Sequence, residues 1–149
     1  MRNILLIHGV NLNALGKRDH SHYGHLTLKI IEDMTAKEAE KYGYYIIAYQ
    51  SNHEGNLVDK IQSEQSNCVA IIINPGAFAH YSYGLHDALL DTTLPVIEVH
   101  LSAVSQRERW RQNSVTAAAC IKTIEGKKEQ GYREAVKALV EYLNNDNHK

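Results

Sequence analysis

Residues 68–74, reading Cys68-Val-Ala-Ile-Ile-Ile-Asn74, are almost continuously apolar and end at Pro75-Gly76. A short apolar run with no alternation is the composition of a central parallel strand, covered on both faces. Residues 3–8, 44–50 and 95–100 are three further strand candidates. Residues 117–124 are a fifth, weakened by Lys122. Amphipathic stretches separate them. Thr27 can cap a helix carrying Leu28, Ile31 and Met34 at helical spacing, and Gly43 can end it as a C′ glycine. Leu57, Val58 and Ile61 mark a second helix, and Ser82 can cap a third that runs to about Asp91. Ser105 and Glu108 have capping-box spacing for a short helix through Trp110. A last helix from Gln130 to about Leu143 puts Ala135, Val136, Leu139, Val140 and Leu143 on one face, and the polar tail 144–149 is expected to fray.

Strands alternating with helices argue a parallel sheet with right-handed crossovers. Five strands in 149 residues predict an α/β, three-layer, flavodoxin-like fold with strand order 2-1-3-4-5. That length forms one domain, 1–149, with no repeat, linker or low-complexity segment. A net charge of −1 carries no basic footprint for nucleic acid. Cys68 and Cys120 sit in apolar runs and read as core residues, not a disulfide framework. Four apolar residues near the start are too few for a signal sequence, and no stretch approaches a membrane span. A cytoplasmic protein is the expectation.

In an open parallel sheet, ligands bind beyond the carboxyl ends of the strands, near the switch in strand order. That rule selects residues 8–24, 51–55, 74–82 and 100–114, which hold most of the His, Asn and Arg side chains not placed on helix surfaces. Side chains alternate along a strand, so Glu98 and His100 share a side. A carboxylate beside an imidazole favours its cation, which makes a usable general acid. A buried carboxylate that only satisfies backbone groups fits the same pattern. The stretch 9–24 has no helical period, and a loop this long in a compact domain is usually a lid or disordered. It carries Arg18 and Tyr23. Tyrosine, with a reference pKa near 10, serves as a base only if a cation such as Arg18 lowers it. On spacing alone, a packed Tyr23 and a solvated Arg18 is the commoner arrangement. His20, His22 and His25 form only a loose ligand pattern, so no metal is expected. No dinucleotide, Walker or nucleophile-elbow motif is present, and strand one ends without an acidic cluster.

Several short blocks, in this order and spacing, resemble the type II 3-dehydroquinate dehydratases. They are Gly9-Val-Asn11-Leu-Asn13 with Leu15-Gly16 and Arg18, Tyr23-Gly24, and Gln50-Ser-Asn-His-Glu-Gly55. Next come Asn74-Pro-Gly-Ala77 with His80 and Ser82, then Asp87-Ala88. Pro95 to Ser102, Arg107-Glu108 through Arg111 and Ser114, and Gly131-Tyr132 complete the set. The resemblance implies a hydro-lyase of the shikimate pathway or of quinate breakdown. Its reaction is a cofactor-free trans-elimination of water from 3-dehydroquinate through an enolate. It casts Tyr23 as base, Arg18 as the cation that lowers its pKa, His100 as acid and Glu98 as its support. Asn11 stands at the position that stabilises the enolate. Asn74, His80 and Arg111 match positions that hold substrate hydroxyls, and the backbone at Leu101 and Ser102 matches a carboxylate-binding turn. Asp87 matches a residue lent to a neighbouring subunit, within dodecamers built from trimers. Such a reaction needs a base, an acid and enolate donors, but no metal, hydride carrier or Schiff-base lysine. The chain departs from the family pattern at Val10, Asp19-His20, Ala103, Gln112-Asn113 and residues 122–129. The alternative from another class is a non-catalytic flavodoxin-like module binding a flavin or phosphate, which the missing phosphate-cradling loop argues against.

Overall fold

The computed structural model describes residues 2–17, 19, 21 and 26–146. Five strands form one parallel sheet: β1 (Asn3–His8), β2 (Tyr45–Gln50), β3 (Ala70–Asn74), β4 (Val96–His100) and β5 (Lys122–Glu125). Their spatial order is β2-β1-β3-β4-β5. The helices are α1 (Leu28–Glu40), α2 (Glu54–Glu64), α3 (Tyr83–Asp91) and α4 (Gln130–Asp146). The α/β fold and the strand order are those the apolar pattern predicts.

Strand alternation divides the core into two layers. Ile4, Leu6, Ala70, Ile72, Ile97, Val99 and Ile124 pack against Ile31 and Ala39 of α1 and Tyr132, Ala135, Val136 and Leu139 of α4. Leu5, Ile7, Ile71, Ile73 and Val96 face the other way, onto Leu57 and Ile61 of α2 and Leu85, Ala88 and Leu89 of α3. β1, β3 and β4 are buried on both faces, which is why their sequences show no alternation.

The predicted caps are made. The Thr27 side chain accepts from Ile30 N, and that of Ser82 accepts from Leu85 N. Gly43, at φ 82°, ends α1. Its N–H donates to Glu40 O while Tyr44 N–H donates to Ala39 O, the paired bonds of a Schellman cap.

Three expectations are corrected. The apolar run 117–124 is strand only over Lys122–Glu125; Thr116–Ala119 is a 3-10 turn. Ser114 Oγ accepts from Ala117 N, and both Ser114 and Thr116 donate side-chain bonds to Glu98. These bonds fold the segment down onto β4 before it can enter the sheet. The capping box at Ser105 and Glu108 does not form. Ser105 Oγ donates to Glu125, Glu108 pairs with Arg111, and two 3-10 turns, Val104–Gln106 and Arg109–Arg111, replace the short helix. α4 runs on to Asp146, past the end expected near Leu143.

The strand order reverses between β1 and β3, so their carboxyl ends open a crevice. The turns leaving these strands are in close contact. A Cβ on Gly9 would lie 1.9 Å from Pro75 O, and one on Gly76, at φ +62°, would lie 2.6 Å from Val10 O. Only glycine fits at either position. Gly9 N donates to Asn74 O at 2.7 Å, which locks the two turns together as the floor of the crevice.

Candidate active site

A pocket sits on that floor, walled by residues that follow β1, β3 and β4. Asn11, Asn74, His80, His100, Leu101, Ser102 and Arg111 line it, together with Val10, Leu12, Gly76, Ala77, Val104 and Arg107. Seven of the residues singled out in the sequence therefore converge on one cavity. Glu98 lies directly beneath, bonded to His100. Asp87 does not join them. It lies on α3 with its side chain 73% exposed and bonded to His86 Nδ1 at 2.8 Å. Arg18 and Tyr23, with His20, His22 and His25, lie outside the described residues.

Glu98 is the electrostatic anchor. It is fully buried. Its Oε2 accepts from His100 Nε2 and from Ser114 Oγ, both at 2.7 Å, and its Oε1 accepts from Thr116 Oγ1. Burial alone would raise its pKa. The bond and charge of His100, with the Thr116 and Ser114 hydroxyls, outweigh that and hold the carboxyl below its usual range. An ionised carboxylate only accepts, so His100 Nε2 carries a proton towards it. Nδ1 is then the imidazole nitrogen left for the pocket.

His80 is tuned the other way. Burial lowers its pKa first, and the neighbouring His100 and Arg111 add to this; the bond to Asn113 and the charge of Glu98 oppose it. Its Nδ1 lies 2.8 Å from Asn113 O, a group that only accepts, so Nδ1 bears the proton and a neutral His80 offers Nε2 as an acceptor. Trp110 meets its ring edge-on at 5.3 Å. Arg111 stacks on that Trp110, 4.0 Å above the ring, and its Nε donates to Glu108 Oε2 at 2.9 Å. A stacked, pinned guanidinium is pre-organised for oxygen ligands.

Asn74 is 3% exposed. Its Oδ1 accepts from Gly76 N at 3.1 Å, and its Nδ2 donates to Tyr132 Oη at 3.0 Å, which leaves one N–H for the pocket. Asn11 adopts a left-handed conformation at φ 69°. Its N–H donates to Asn52 Oδ1 at 2.8 Å, and Gln50 Nε2 reaches Asn52 Oδ1 and Gly9 O, both at 3.1 Å. The segment after β2 thus buttresses the turn after β1.

Arg107 has no site role assigned from the sequence. It lines the pocket and donates from Nη1 to Ser102 Oγ at 3.3 Å. The signals in the sequence are its place in the segment after β4 and in the Arg107-Glu108 block. Among the described residues, no group of His, Cys, Asp and Glu is arranged to hold a metal.

The fold and this site define an α/β protein with an acid–base pocket at the carboxyl edge of its sheet, built on a carboxylate-supported histidine and ringed by donors for oxygen. Residues 2–140 match the family model Dehydroquinase class II. The chain belongs to that family. The 3-dehydroquinate dehydratase of Bacillus cytotoxicus is 48% identical over 143 residues, 96% of this chain and 98% of the relative. That of Bacillus mycoides is 46% identical over the same shares. Among solved structures, the type II dehydroquinase of Butyrivibrio crossotus superposes with a TM-score of 0.90 at 41% identity, covering 93% of this chain and 97% of that one. The type II dehydroquinase of Propionibacterium acnes gives 0.90 at 30% identity, with 95% and 97% covered.

Proposed function

We propose that this chain is a 3-dehydroquinate dehydratase, a hydro-lyase converting 3-dehydroquinate to 3-dehydroshikimate. The observation that carries this reading is the pocket-facing His100, held by an ionised, buried Glu98 amid Asn74, His80 and Arg111. Full-length similarity to curated 3-dehydroquinate dehydratases supports it over a flavin- or phosphate-binding module.

The elimination proceeds in two proton transfers. Tyr23, kept ionised by Arg18, takes the proton from the carbon beside the ketone. The electron pair moves to the ketone oxygen as an enolate, stabilised from the Asn11 side of the pocket. The enolate then collapses, the carbon–oxygen bond to the leaving hydroxyl breaks, and His100 Nδ1 donates the proton that makes it water. Glu98 supports the imidazolium before transfer. Asn74, His80 Nε2 and Arg111 hold the ring hydroxyls, and the Leu101–Ser102 backbone takes the carboxylate. The product is a conjugated enone.

Asp87, exposed on α3 and outside this pocket, is assigned to a neighbouring subunit's site in a dodecamer built from trimers. The reading places the enzyme in the cytoplasm. Among the described residues, no helix is long and apolar enough to cross a membrane.

The functional test mixes the protein with 3-dehydroquinate and follows ultraviolet absorbance of the enone. Steady growth of that absorbance is expected; none at micromolar enzyme overturns the assignment. Light scattering at the same concentration tests the assembly, and a monomer there would refute it.

A further inference from the structure

A second buried polar cluster lies under the pocket, on the opposite face of the sheet from Glu98. It joins Glu32 of α1, His8 at the end of β1, Asn74 at the end of β3 and Tyr132 of α4. His8 and Asn74 are register partners on adjacent strands. Strand alternation puts both side chains on the face of Leu6 and Ile72, beneath α1 and α4. His8 is fully buried, with Nε2 3.2 Å from Glu32 Oε2. Among the described residues, neither of its ring nitrogens meets an aligned hydrogen bond. Its ring centroid lies 6.4 Å from that of Tyr132. Tyr132 is also fully buried, and its Oη accepts from Asn74 Nδ2 at 3.0 Å. Burial, aided by the charge of Glu32 and opposed by the Asn74 bond, raises the Tyr132 pKa and keeps the phenol protonated.

This arrangement constrains the direction of each bond. Asn74 Nδ2 is a donor, so the Tyr132 proton has to point elsewhere. If the phenol donated to Asn74 instead, the carboxamide would turn over. Its amide group would then face the Gly76 N–H, donor against donor, and the turn that floors the pocket would lose its bond. We propose that Tyr132 fixes Asn74 with its remaining N–H towards the substrate. Tyr132 is then a positioning residue for the dehydration, a conclusion that rests on the functional reading above.

The test introduces Tyr132→Phe, which nearly keeps side-chain volume, in the native and Asn74→Ala backgrounds. Two readouts are taken: kcat and KM with 3-dehydroquinate, and the Asn74 side-chain amide 1H–15N signals of the substrate-free protein. Tyr132→Phe is expected to lower kcat/KM about tenfold, mostly through KM, but less than about twofold once Asn74 is alanine. In Tyr132→Phe the Asn74 amide signals shift and exchange faster with solvent. Equal losses in the two backgrounds, or unmoved Asn74 signals, would overturn the proposal. The amide signals need no turnover, so a failure of the dehydratase reading stays distinguishable from a failure of this one.

Discussion

Thr116→Val tests the physical basis of the acid. Valine is nearly isosteric with threonine, so the change deletes one hydroxyl and little volume. Glu98 Oε1 loses the Thr116 bond, while Oε2 keeps those from His100 and Ser114 at 2.7 Å. A hydrogen bond to a buried charge contributes roughly 1.5–3 kcal/mol. Without the Thr116 hydroxyl, one of the groups that lower it, the variant's Glu98 pKa should rise. The linkage has a definite sign. A carboxyl depressed in the fold contributes stability above its unfolded pKa, about 4.3 for Glu, and loses it as pH falls through the lower folded value. The penalty of Thr116→Val should thus be full at pH 7 and shrink in acid, where both forms of the protein carry a neutral Glu98. Urea unfolding at pH 7 and at successively lower pH reads this directly. A penalty of the same size at every pH would refute the claim that Thr116 holds an ionised Glu98.

Gly76→Ala forces a left-handed non-glycine residue and brings Cβ to 2.6 Å from Val10 O, so a loss of at least about 2 kcal/mol is expected. Thermal unfolding would show it, and an unchanged midpoint would contradict the crossed-turn floor. Arg111→Lys keeps the charge but loses the Nε bond to Glu108 and the stack on Trp110. KM should rise roughly tenfold with kcat little changed; a loss confined to kcat would remove Arg111 from substrate binding.

The sheet was legible because its signals are local. Continuous apolar runs mark strands buried on both faces, and Thr27, Ser82 and Gly43 act within a few residues of where they stand. Strand parity put Glu98 and His100 on one side, and the structure pairs them at 2.7 Å. The misread segments are those whose partners are distant in the chain. Residues 114–119 look like the approach to a strand until Ser114 and Thr116 find Glu98 on β4. Ser105 looks like a helix cap until Glu125 competes for its hydroxyl. The Glu32–His8 contact spans β1 to α1 and has no periodicity to betray it. Arg107 stands in a family block, but nothing local in the sequence shows that it lines the pocket.

The division of labour between a base on one side and an acid on the other is tested most directly in deuterium oxide, by NMR of the substrate proton beside the ketone. In His100→Ala, the account predicts that this proton still exchanges with solvent while elimination nearly stops, because the enolate forms but the hydroxyl cannot leave. Tyr23→Phe should show neither exchange nor elimination. Undiminished exchange in Tyr23→Phe would contradict the account, as would equal loss of exchange and elimination in His100→Ala.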